Sequence, residues 1–379
     1  MLVPLSNSPR DYAWGSSTLL ADLTGRIPSG DPEAEIWFGD HPGCPSIVED
    51  GSGRTLDVWL REQDAAPLPY LVKLLAAGSS LSIQAHPSKA EAVLGFAREE
   101  AAGIPRDAPE RLYRDDNHKP EIIVAVSDTF RALVGLRPLA QTRRLVAALG
   151  PSAGPAALTV RLEGADEAAV LRATLAWLLS GDAQADVDDI IVAVRGAVDA
   201  EFAAELTTLR RIADDFPGDP GVVVALLMNH VELRQGEGLF APAGALHAYQ
   251  DGLGLELMAA SDNVLRGGLT PKHIDVAELL RIVDTTPGPA PIVVPRDGMF
   301  DVGIPDFALT RLLVDRETRV RLTGPAIVVA VRGAVEVAGE QSGTVGSLGP
   351  GAAAYAGAEE RELAFTGSGE VFIAQPGRR

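Results

Sequence analysis

A change of apolar rhythm constrains this chain more than any other feature. Residues 65 to 137 and 231 to 285 run in short apolar stretches broken by turn signals, whereas residues 138 to 230 carry apolar side chains three and four apart. Short β-branched or alternating runs suit strands, and three–four spacing suits helices. LPYLVKLLA is compatible with a buried strand or a short helix, LSIQAHP reads as a strand stopped by a proline, and PEIIVAV as a strand entered through Pro120, where a missing N–H is tolerated. QTRRLVAALG, EAAVLRATLAWLLSG, DDIIVAVRGAV and AEFAAELTTLRRIADDF read as helices. The helical block has no His, Cys or Lys from 139 to 229, which suits a structural or lid-like insertion. A Pro-rich joint, TTPGPAPIVVP, then leads into short strands and glycine turns. The expected organisation is a discontinuous unit of 1–137 plus 231–285, a helical insertion at 138–230, and a small β domain at 286–379.

Composition narrows the partners. The net charge is −19, a field that disfavours nucleic acid and anionic membranes. An anionic ligand therefore needs a local basic cluster. A lone Cys44 excludes an intrachain disulfide and a Cys-rich zinc site. No stretch approaches the ~20 apolar residues that span a bilayer, and the N-terminal residues show no secretory pattern, so a cytoplasmic protein is expected. Oligomeric state is not legible, and a monomer fits the sequence. Only four basic residues are lysine, Lys73, Lys89, Lys119 and Lys272; the rest are arginine. Each lysine is therefore a candidate for a position where a compact or deprotonatable amine has its own use, the alternative being drift with four random survivors.

The ligand-bearing residues are few. Gln84 and His86 stand two apart on a candidate strand and project from one face. Glu121 opens the next strand after His118, Lys119 and Pro120, and His247 ends a small-residue loop, APAGALH. Two imidazoles, a carboxylate and an amide oxygen suit a zinc-type divalent site open to water or substrate.

LPYLVKLLAAGSSLSIQAHPSKAEA, DDNHKPEIIVAV and LELMAASDNVLRGGLTPKHIDV, with YAWGSS and EIWFGDHP near the N-terminus, closely resemble type I phosphomannose isomerases. The likeness covers most of residues 10–137 and 231–280, and the helical block matches only in kind. It implies a cupin-type (jelly-roll) catalytic β-barrel; joined to the periodicity and turn pattern above, the expected fold is mainly β with a helical insertion and a second, smaller C-terminal cupin-like barrel. The resemblance also implies one zinc ion per chain, on Gln84, His86, Glu121 and His247. The implied reaction interconverts mannose 6-phosphate and fructose 6-phosphate, feeding mannose and GDP-mannose metabolism.

Aldose–ketose isomerisation moves hydrogen between C2 and C1, usually through a cis-enediol. Arg266 matches the family's active-site arginine, and its permanent charge suits an enediolate. For the base, Lys119 paired with His118 is ranked ahead of Glu256. Lys73 and the Ser82 hydroxyl, with Lys89 behind them, are the expected phosphate contacts. Asp262 is expected to cap a helix or position Arg266. Two rivals are a non-catalytic sugar-phosphate-binding cupin and a metal-dependent dioxygenase. Retention of the four ligands with Lys119 and Arg266 weighs against the first, and the Gln84 amide against the second.

Within the chain, LRQGEGLFAPAGALH from Leu233 can be laid on LGPGAAAYAGAEERE from Leu348. Phe240 then meets Tyr355, and His247 meets Glu362. With no histidine after His273, the C-terminal segment is expected to repeat the first barrel without a metal.

Overall fold

Tyr70–Ala77 is a strand rather than a helix, and its neighbours explain why. It is hydrogen-bonded on one side to Glu35–Phe38 and on the other to His247–Ala259, so every residue is buried on one face or the other. The computed structural model describes residues 1–377. Its strands form two antiparallel sheets, one of ten strands and one of nine, accompanied by helices. Ile83–Ala85 and Glu121–Ala125 are strands, as their patterns predict. No helix among the described residues is long and apolar enough to cross a membrane.

Strand alternation sorts the side chains. Tyr70, Val72, Leu74 and Ala76, with Ile122, Val124, Leu255 and Leu257, face a core shared with Ile327, Val329, Phe372 and Ala374 of the other sheet. That seam joins the two sheets, and the Tyr70 hydroxyl spans it, donating towards the carbonyls of Pro325 and Ala374 at 3.0 Å. The opposite face of the same strands carries Lys73, Glu121 and Glu256. The sites that matter are therefore on the inward face of the ten-stranded sheet.

The predicted helical block is present as Leu139–Ala148, Ala153–Arg161, Glu167–Leu179, Gln184–Gly196, Ala203–Asp215 and Gly221–Leu227. Its apolar faces share a core with Ile83, Ala85, Leu246 and Leu265, so the helices back the strands that carry Gln84 and His247. The return to strand comes at Met228 rather than Val231. One helix, Lys89–Ala101, lies in a region read as strands; Ser88 and Glu91 form its capping box, the signal in PSKAE that marks it.

The segment after the Pro-rich joint supplies most of the nine-stranded sheet, but not all of it. Leu2–Ser6 pairs with Ala353–Ala356, so the first strand of the chain completes the C-terminal sheet. A boundary at 286 therefore misses this strand. Its physical reason is that Ala353–Ala356 needs a second partner for its backbone groups, and Leu2–Ser6 covers the edge.

The two sheets repeat one order. In the first, Tyr70–Ala77, His247–Ala259, Glu121–Ala125 and Gly238–Ala241 are successive neighbours; in the second, Ala308–Val314, Glu362–Gln375, Ala326–Gly339 and Ala353–Ala356 are. The strand ends agree as well. A single shift carries Gly238–Ala241 onto Ala353–Ala356 and the strand start His247 onto the strand start Glu362. Gln84 is the cross-strand partner of His247, and Arg321 is that of Glu362.

Candidate active site

The inward face opens into a cavity of about 920 Å³. Gln84, Lys119, Glu121, His247, Glu256 and Arg266 line it, so the residues singled out from widely separated motifs meet in one place. Sheet register brings them together. His247, Gln84 and Arg266 sit side by side on three adjacent strands, and Glu256 pairs with Lys73 on the next.

His86, Glu121 and His247 form a buried cluster whose donor atoms lie within 4.8 Å of one another. Glu121 Oε1 is 3.3 Å from His86 Nε2, and Oε2 is 3.1 Å from His247 Nε2. Both rings are oriented from behind. Nδ1–H of His86 donates to the Asn263 carbonyl at 2.7 Å, and that of His247 to the Ala245 carbonyl at 3.0 Å, which leaves both Nε2 lone pairs facing the cluster. His86 Nε2 is buried without a hydrogen-bond partner, an orphan that a metal ion would satisfy. The Gln84 amide donates to Ser82 Oγ at 3.1 Å, so its carbonyl oxygen remains free to coordinate. This donor set fits a zinc-type cation.

Electrostatics distinguish the buried groups. Burial and the charge of Lys119 hold His86 down at about 4, so its imidazole is neutral at pH 7. Burial alone would raise Glu121, but Lys119 at 2.8 Å and the imidazoles keep its carboxyl well below the usual range. Glu256 goes the other way: burial raises it, although Lys73 lies 3.0 Å away. Lys73 also lies 3.6 Å from Glu35 and 5.0 Å from the centre of the Trp37 ring. Burial works against its charge, but the surrounding carboxylates raise it above its ordinary value.

Several expectations need correction. Lys73, expected as a phosphate contact, lines the cavity but is paired with Glu256 and Glu35, so it is not a free cation there. Lys89 stands outside the cavity lining at the exposed start of its helix, beside Asn117 and Asp116. His118, expected to pair with Lys119 as acid and base, is also outside the lining, and its Nε2 is engaged with Asp306 at 2.8 Å. Asp262 neither caps a helix nor pairs with Arg266; it faces His41 at 3.4 Å, and the strand Leu265–Gly268 follows it. Ser82, expected as a phosphate contact, lines the cavity.

Sequence reasoning passed over Glu35, Arg114, Tyr249 and Asn263, and gave Lys272 no role. Arg114 and Lys272 line the cavity with Arg266. Burial and then the charge of Arg114 lower Arg266; burial, Arg266 and Arg114 lower Lys272. Three cations thus press on one another, the local basic cluster that an anionic ligand requires in so acidic a chain. RDDN beside NHKPE, and the lysine of TPKH, were the signals. Asn263 is fully buried: its Oδ1 accepts from Arg114 N at 2.7 Å, and its amide donates to the Asn117 carbonyl at 2.8 Å.

Residues 2–139 match the family model for the phosphomannose isomerase type I catalytic domain. Mannose-6-phosphate isomerase of Salmonella typhimurium is 36% identical, with 97% of both chains covered. The Rattus norvegicus enzyme of that name is 31% identical over 88% of each. A mannose 6-phosphate isomerase solved with zinc bound superposes with a TM-score of 0.89 at 33% identity, over the whole of both chains. Full-length likeness of this kind, joined to the residues gathered in the cavity, shows that the chain belongs to the type I phosphomannose isomerase family.

Proposed function

We propose that this chain interconverts mannose 6-phosphate and fructose 6-phosphate at the cavity described, with one zinc ion on His86, Glu121, His247 and Gln84. The observation that carries the reading is the buried His86–Glu121–His247 cluster opening into the same cavity as Arg266, Glu256 and a cluster of cations. Bound zinc supplies a Lewis acid for negative charge developing on the sugar oxygens. The Arg266 guanidinium, fixed beside Gln84 by strand pairing, faces the same developing charge. Glu256, raised by burial and held by Lys73, moves the proton between C2 and C1 through a cis-enediol. Lys119 holds the Glu121 carboxylate and offers its remaining N–H donors to sugar hydroxyls. Arg114 and Lys272 take the phosphate, with the Ser82 hydroxyl beside them.

The repeated strand order bears on the finer architecture. It supports two cupin-type barrels, with the helical insertion between the parts of the first. The second has lost the ligands: Arg321 and Glu362 stand where Gln84 and His247 stand, so it serves as a buttress across the shared core.

A substitution at Arg266 tests the assignment of function. The wild-type chain should turn over mannose 6-phosphate, and Arg266→Ala should lose at least ~100-fold in kcat while keeping its zinc. Near-normal turnover by that variant would contradict the role given to Arg266.

A further inference from the structure

A carboxylate of the helical insertion holds the loop that follows the strand Leu265–Gly268. Asp219, just before the helix Gly221–Leu227, accepts from three backbone N–H groups. Its Oδ1 takes Gly221 N at 2.7 Å and Leu269 N at 3.1 Å, and its Oδ2 takes Thr270 N at 3.2 Å. Two of these three donors lie in the loop that leaves the strand Leu265–Gly268 and runs to Lys272. That loop is not a relaxed one. Gly268 has φ +132 and Leu269 φ +55, the left-handed region that a branched apolar side chain rarely adopts. Such a conformation persists only where its surroundings hold it.

The contact is also too close for substitution. A Cβ on Gly221 would collide with the Leu269 nitrogen and stand 2.8 Å from Gly268 Cα. Leu269 itself is buried, and Phe216, three residues before Asp219, lines the cavity. Insertion and loop are thus locked backbone to backbone at the cavity wall. Arg266 lies before the lock, its backbone paired with Gln84. Lys272 lies beyond the last paired residue, Gly268, and its own N–H turns back to Thr270 Oγ1 at 3.1 Å.

We infer that Asp219 is a positioning residue through which the helical insertion sets the Leu269–Lys272 loop and, with it, the cation that receives the substrate phosphate. The inference rests on the phosphate reading above and adds a role for the insertion. It separates two residues six apart: disturbing Asp219 should displace Lys272 and leave Arg266 in place. Ground-state phosphate binding should then weaken while the chemical step is preserved.

The test uses the full zinc-loaded chain with Asp219→Ala, Asp219→Asn, Lys272→Ala and Arg114→Ala. It measures kcat and KM for mannose 6-phosphate, inhibition by inorganic phosphate, zinc content and Tm. Asp219→Ala should raise KM and the phosphate inhibition constant together, by about tenfold, the scale of one lost charge-assisted contact. Its kcat should stay within about twofold, with zinc intact. Asp219→Asn keeps a carbonyl oxygen for Gly221 and Leu269 and should recover most of the effect. If Asp219→Ala does not fold, Asp219→Glu, which keeps the charge but shifts the oxygens, carries the same expectation. A lowered Tm with unchanged KM and phosphate inhibition would overturn the inference, leaving Asp219 purely structural. Unchanged phosphate inhibition in both Lys272→Ala and Arg114→Ala would instead refute the phosphate reading, and this inference with it.

Discussion

Glu121 and Glu256 are buried carboxylates in one cavity, yet they shift in opposite directions: the cations around Glu121 outweigh its burial, whereas burial outweighs Lys73 at Glu256. Two imidazoles and Lys119 make Glu121 a permanent anion suited to hold a cation. Burial raises Glu256, and a carboxyl raised towards neutrality exchanges protons with carbon acids more effectively. Glu256→Gln preserves shape and removes the exchangeable proton. It should lower kcat at least ~100-fold, leave KM within a few-fold and leave zinc bound, read by steady-state kinetics with metal analysis. Turnover close to wild type would return the role of base to Lys119. At this scale the His86–Glu121–His247 cluster was legible because the chain has only six histidines and one cysteine, so imidazole positions stand out. Lys73 was misjudged because its partners, Glu35 and Glu256, come from distant strands and no local pattern links them. Asn263 was illegible for the same reason: its value lies in bonds to Arg114 and Asn117, far off in sequence.

Elements were legible where periodicity was strong and unclear where burial was complete. The run Tyr70–Ala77 gives no alternation because both of its faces are covered, one by the shared core and one by the cavity. The short helix Val276–Ile282 shows how an element is pinned. Asp275 caps it through Glu278 N at 2.9 Å, and the Glu278 side chain accepts from Arg98, Tyr113 and Arg281. Burial would raise Glu278, but these donors outweigh it and hold the carboxyl at about 2. A carboxyl lowered in the fold contributes stability that is complete above its ordinary range and is lost as pH falls from about 4.5 towards 2. Glu278→Gln should therefore destabilise the chain at pH 7, on the order of 1–2 kcal/mol, and should lose less stability than wild type between pH 4.5 and 2. Urea unfolding at pH 7 and pH 3 checks this. Equal losses on acidification in both proteins would contradict it.

At the scale of the whole molecule, the division of labour follows from one strand order used twice. The ten-stranded sheet turns Lys73, Glu121 and Glu256 inward, and the nine-stranded sheet packs Val328, Ala330, Val371 and Ile373 into a core of its own. The match of Gly238–Ala241 to Ala353–Ala356 and of His247 to Glu362 could be read from the sequence, because these residues sit at equal distances along the two segments. The strand Leu2–Ser6 could not, since only the edge it covers explains where it goes. Isomerisation should depend on a single zinc in the first sheet, and the decisive measurement follows zinc content and mannose 6-phosphate turnover in the same preparation. Wild type should hold about one zinc per chain, lose activity in step with zinc on chelation and recover with it, while His247→Ala should lose both together. Full turnover in a metal-free preparation, or normal zinc and activity in His247→Ala, would contradict the account.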